Sequence, residues 1–134
     1  MNRSYRLFVY ETFENIGRIE EICSTISFYF SDIYDIEKSF GKRSKYATIS
    51  KQTIFLAIER SKSLAADTAR KIEILEENKI IKTGDFQLLV QELIAMIANM
   101  EKDYRNEKYE GIVRKLRALG EKCSDIKEKI KSKV

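Results

Sequence analysis

Residues 16–40 read IGRIEEICSTISFYFSDIYDIEKSF. Ile16, Ile19, Cys23, Ile26, Phe30, Ile33 and Phe40 recur on alternating three- and four-residue steps, with Glu37 the one polar member of the series. That is the seam of an α-helix packed against another helix. A second row, Ile22, Tyr29 and Ile36, widens the apolar face beyond what a two-stranded coiled coil needs, so this helix must meet at least two neighbours. Glu37 then needs a partner, and a lysine or arginine from a neighbouring helix is the expected one.

Working outward, the same pattern returns. The first helix is expected over residues 3–42, ended by Gly41 and the polar run that follows it. A turn over Ser44–Ser50 follows, with Thr48 or Ser50 able to cap a second helix over 49–81. Its inward row is Ile54, Ile58, Ser61, Ala65, Thr68, Ile72 and Leu75. The small residues in the middle of this row leave room for bulky groups of a partner, and the Phe30–Ile33 region is the expected one. Thr83-Gly84-Asp85 carries the residues of a helix end and a new helix start, with a continuous helix as the alternative.

The last segment, 85–132, holds two apolar rows. Phe86, Val90, Leu93, Ile97, Met100 and Tyr104 form one; Ile112, Leu116, Leu119, Cys123, Ile126 and Ile130 form the other, one residue out of phase. A change of supercoil can absorb the slip, or a turn near 105–111, around Gly111, can divide the segment into two helices. The lysine-rich tail after Ile126 is expected to be solvated or frayed. The fold class is therefore all-α: an antiparallel bundle of three to four long helices in a single domain over 1–134, with an elongated, coiled-coil-like dimer as a further arrangement of the same seams.

Composition agrees. Proline and histidine are absent, glycine occurs five times in 134 residues, and 34% of residues are charged, which suits long helices and not a sheet with tight turns. Without histidine, most zinc sites and all histidine acid–base chemistry are excluded. Cys23 and Cys123 both occupy apolar positions and read as buried small hydrophobes. The sequence lacks a glycine-rich phosphate cradle, a nucleophile elbow and a zinc-protease helix, and its acids fall mostly on outward positions. We therefore expect a non-enzymatic protein with no metal and no cofactor. The longest apolar runs fall far short of the roughly 20 residues that cross a bilayer, so a cytoplasmic protein, at most peripheral to membranes, is expected.

The net charge is +4, from 25 basic and 21 acidic residues, and the positive excess starts where the first helix ends. Two basic clusters stand out. Lys42, Arg43, Lys45 and Lys51 surround the first turn; Lys102, Arg105, Lys108, Arg114, Lys115 and Arg117 concentrate on the last segment, mixed with Glu101, Asp103, Glu107 and Glu110. Mixed charges of this kind commonly form pairs on a wet helix face. An anionic membrane surface asks less geometry of such clusters than nucleic acid does, and no nucleic-acid-binding motif accompanies them.

The segment Ile36-Glu37-Lys38-Ser39-Phe40-Gly41-Lys42 resembles the end of the first core helix in the FCH region that opens F-BAR domains, where an Ile-Glu-x-x-aromatic-small-Lys pattern recurs. Leu64-Ala65-Ala66 and the Glu-Lys-Tyr…Lys-Leu pattern from Glu107 to Leu116 are similar to parts of the helix that follows there. The sequence departs from the family at Ile33, where an arginine is usual, and at Arg43, where a leucine is usual. The resemblance implies an antiparallel helical homodimer that binds anionic phospholipid membrane through basic side chains, sought by region among Lys102, Arg105, Lys108, Arg114 and Lys115, and senses or imposes curvature. The alternative from the residues alone is a compact four-helix scaffold or cytoskeletal adaptor that binds a protein partner. In that case Gly84 and Gly111 mark turns and the monomer buries its own core.

Overall fold

The computed structural model describes residues 3–79, 85–106 and 112–133. They form four α-helices: α1 (Arg3–Phe40), α2 (Lys45–Glu77), α3 (Asp85–Arg105) and α4 (Ile112–Lys133). Each helix packs along its length on two neighbours in the cyclic order α1, α2, α3, α4, and among the described residues the diagonal helices approach only through side chains that cross the core. Asn15 pairs with Asp67 and Glu37 with Lys51, Gln87 with Ala69 and Glu101 with Lys62, Lys122 with Glu92 and Lys115 with Asp103, Lys127 with Glu20 and Lys131 with Phe13, so in each interface positions on one helix fall as those on the other rise. Every neighbouring pair is therefore antiparallel. The chain reverses between α2 and α3 and again between α3 and α4; Gly84 and Gly111, the residues expected to mark these turns, lie outside the described residues.

One core runs through all four helices. Ile16, Ile19, Cys23, Ile26, Phe30 and Ile33 of α1 are buried, as are all seven residues of the α2 row and every member of the α4 row. On α3, Phe86, Val90, Leu93, Ile97 and Met100 are buried, and Tyr104 closes the row half-buried. Ile22 and Tyr29 pack against this core from the side, so the broad face of α1 serves its two neighbours, α2 and α4. The polar members of the α2 row are satisfied within their own helix: the hydroxyls of Ser61 and Thr68 donate to the carbonyls of Ala57 and Leu64 at 3.0 and 2.7 Å. That bonding lets two hydroxyls lie in an apolar seam without leaving a donor unmatched.

Five expectations are corrected. α2 starts at Lys45, not at 49, because Ser44 is extended (φ −65°, ψ 154°) and its hydroxyl accepts the Ala47 N–H at 3.1 Å, whereas Thr48 lies inside the helix and Ser50 is buried. α1 ends at Phe40, not 42, because Gly41 takes φ +88°, a conformation that glycine adopts without steric cost. α2 in turn stops at Glu77, short of 81, where Lys79 enters the left-handed region at φ 58° and its N–H turns back to the Glu76 carbonyl at 3.0 Å.

The small stretch Ser61–Ala69 does not face Phe30 and Ile33. The tight connection of residues 41–44 sets the register, and the pairs Asn15–Asp67 and Glu11–Lys71 place that stretch opposite residues 13–21 of α1. Phe30 instead meets Tyr104 edge-on, with ring centroids 5.9 Å apart, and the Tyr104 hydroxyl donates to the Lys51 carbonyl at 2.7 Å. Nor is the lysine-rich tail frayed: α4 continues to Lys133, Lys127 pairs with Glu20 of α1 at 2.7 Å, and the ammonium groups of Lys127 and Lys131 lie 5.6 and 5.5 Å from the Phe13 ring centroid. Two cation–π contacts and an ion pair hold the last helix to the first.

Both cysteines are free thiols buried in the core. Burial pushes the Cys23 thiol up to about 12 and raises that of Cys123 as well, since a thiolate loses its hydration there. The loss of thiolate alone should slow reaction of the folded protein with a disulfide reagent at pH 8 on the order of a thousandfold relative to an exposed cysteine. Thiol titration before and after unfolding checks this, and prompt labelling of the folded chain would contradict it.

Candidate functional site

The seam that builds the core also carries α1 past it. At about 1.5 Å per residue, Phe40 lies about 15 Å beyond Phe30 along the helix. The Phe30–Tyr104–Lys51 contacts mark the level that the end of α3 reaches, so the last turns of α1 and the first turns of α2 project as a hairpin. At its base Lys51 Nζ lies 2.8 Å from Glu37 Oε1, with both side chains mostly shielded from water. This is the cross-helix partner that the seam position of Glu37 requires, and it closes the apolar core where the covering helices run out. In a double-mutant cycle with Glu37→Ala and Lys51→Ala, the pair should show a coupling of about 1 kcal/mol, at the upper end for ion pairs with some solvent contact. Denaturant unfolding of the four proteins measures it, and a coupling near zero would remove the pair from the account of the core's end.

Beyond that pair the surface changes character. Residues 38–50 contain four basic side chains, Lys38, Lys42, Arg43 and Lys45, and no acidic one, so the rest of the chain holds 21 of each sign and the whole net charge of +4 belongs to this tip. All four are exposed, and no ion pair among the described residues engages them. Phe40 and Tyr46 flank the turn at 61% and 62% exposure, with ring centroids 5.0 Å apart, and Ile49 follows at 51%. The seam position of Phe40 predicts burial; it is exposed because, among the described residues, no helix besides α2 covers α1 at that level.

The second basic cluster is different. Arg105 Nε is 3.7 Å from Glu101, its guanidinium lies 5.9 Å from the Phe55 ring centroid, and Lys115 pairs with Asp103. Glu101 also accepts Lys62 at 2.9 Å, and this bond from Lys62 holds the Glu101 carboxyl below its ordinary range. Lys102 and Arg114 are exposed, and Lys108 lies outside the described residues. The bundle thus separates the expected site residues: Lys42, Arg43 and Lys45 share the tip with Lys38, Arg105 and Lys115 face acidic partners along α3 and α4, and Lys102 and Arg114 lie exposed on those same helices. Lys38, Tyr46 and Ile49 were not anticipated as parts of a site; a charge count in a short window about Gly41 is the signal that finds Lys38.

A third polar region lies in an open groove of about 510 Å³ between α1 and α2, where Asp67 accepts Lys71 at 2.7 Å and Asn15 at 2.9 Å. Hydrogen bonding from Lys71 lowers the Asp67 carboxyl below its ordinary value, and Glu11 also pairs with Lys71. Each of these groups is occupied in fastening the two helices together. Among the described residues no three side chains of the histidine, cysteine, aspartate or glutamate type gather where a metal ion could bind, and no helix is long and apolar enough to cross a membrane. No protein-family model matches the chain, and no curated protein or solved structure does.

Proposed function

We propose that this four-helix module is a non-enzymatic protein that binds anionic membrane surfaces through the tip of the α1–α2 hairpin. One observation carries the reading: the entire excess of positive charge sits on residues 38–50, a stretch about one turn of the chain that contains no acidic residue and whose four basic side chains are all exposed, while the remainder of the chain is balanced. A basic side chain held near an anionic bilayer contributes roughly 1 kcal/mol, so four together amount to a useful surface affinity without a shaped pocket. The resemblance of Ile36–Lys42 to the FCH region points toward the same class of partner. Because each helix finds two neighbours within its own chain, the reading does not depend on a homodimer. Co-sedimentation with vesicles of phosphatidylcholine, with and without phosphatidylserine, tests it. Pelleting should require phosphatidylserine and weaken as salt rises; equal recovery in the supernatant with both vesicles at low salt would end the proposal.

A second reading, a compact scaffold that binds a protein partner, draws on Phe28, Leu56 and Leu88. These are more than half exposed and lie away from the tip. It predicts that the protein stays in the supernatant as a monomer whether or not phosphatidylserine is present.

A further inference from the structure

Charge accounts for attraction to a bilayer but not for the large apolar groups set among the charges. We infer that the hairpin docks end-on, with Phe40 and Tyr46 forming an aromatic anchor that enters the interfacial layer of an anionic bilayer while Lys38, Lys42, Arg43 and Lys45 stay at the lipid phosphates. The inference rests on the membrane reading above and adds to it an orientation and an apolar contact.

Three features support it. The two rings are side by side across the turn, 5.0 Å between centroids and tilted by 42°, so they present one apolar wedge and not two scattered side chains. Gly41 at φ +88° and the Ser44 cap hold the turn that brings them together, so little ordering remains to be done on docking. The basic residues bracket the wedge in sequence, Lys38 before Phe40, Lys42 and Arg43 in the turn, and Lys45 before Tyr46, which places long, snorkelling side chains around an apolar centre. Aromatic side chains favour the boundary between headgroups and acyl chains, where an apolar ring and a polar edge are both accommodated. The orientation follows from the charge distribution. Along the sides of the bundle several basic residues pair with Glu101, Asp103, Glu92 and Glu20, and the exposed Lys102 and Arg114 are interspersed with acidic side chains, so the sides offer an anionic surface less than the tip does.

The chain has no tryptophan, which makes single reporters unambiguous. Phe40→Trp, or Tyr46→Trp as a second variant, is mixed with phosphatidylcholine–phosphatidylserine vesicles, with and without bromine on the acyl chains. Emission should move to shorter wavelength on vesicle addition and be quenched by the brominated lipid. Phe28→Trp reports from the face of α1 opposite the seam, where Phe28 is 69% exposed, and its emission should not change. Phe40→Ser should lower affinity about tenfold and make the remaining binding more salt-sensitive, since it removes an apolar contribution and leaves the charges. If the tip reporters pellet with the vesicles yet neither shifts nor is quenched, the anchor is wrong and the charge-based membrane reading stands. A shift at Phe28→Trp overturns the end-on orientation, and no pelleting of any variant or of the native chain removes both proposals.

Discussion

Replacing Lys42, Arg43 and Lys45 together by glutamine should weaken binding to phosphatidylserine-containing vesicles by about a hundredfold. Each contributes roughly 1 kcal/mol near an anionic surface, and about 3 kcal/mol corresponds to about two powers of ten in affinity. The fold should be unaffected: the three side chains are exposed and belong to no ion pair among the described residues. Circular dichroism and the thermal midpoint therefore serve as controls. The comparison that gives the result its meaning is a second triple variant, Lys102, Arg105 and Lys115 to glutamine, which removes the same formal charge. Two of these residues already face carboxylates, Arg105 with Glu101 and Lys115 with Asp103, so their loss should change binding only a few-fold. If the two triple variants lose affinity equally, net charge and not its position governs the interaction, and the tip has no special standing.

Phe86→Ala should destabilise the protein by about 3–5 kcal/mol, the range for removing a fully buried phenyl ring. Phe86 is among the largest side chains with no exposure and stands in the first turn of α3, packed in the core shared by all four helices. Since domains of this kind have a total stability of about 5–15 kcal/mol, the variant should unfold at a far lower denaturant midpoint, or be partly unfolded in buffer. Leu88, two residues along and 60% exposed, is the matched control: Leu88→Ala should stay within about 0.5 kcal/mol. A loss below about 1 kcal/mol at Phe86 would mean that the start of α3 is not packed as described.

The periodicity of apolar residues was enough to identify the all-α class, the four inward rows and the need of Glu37 for a basic partner, because burial of a helix face leaves a mark at every third or fourth residue. Where a signal was local but had rivals, reading it failed by a few residues. Ser44, Thr48 and Ser50 are all competent caps; the chain leaves α1 at Gly41, where φ is positive, and Ser44, three residues on, is the one used. The partner of the small-residue stretch is not legible for a different reason: register depends on where the turn closes, and shifting that point moves every cross-helix neighbour.

The candidate site shows the same division. Its charges are visible in the sequence, since like signs clustered within a few residues of a turn stay together in any fold. Two things required the tertiary structure. Arg105 pairs with Glu101 one helical turn away, as its spacing allows, but Lys115 is removed from the free charges by Asp103 of the neighbouring helix, a contact that sequence spacing does not foretell. The extension of α1 and α2 past the end of α3 leaves Phe40 exposed, although its heptad position marks it for burial. A heptad position states which way a side chain points, and whether anything stands there to cover it is decided by where the other helices end.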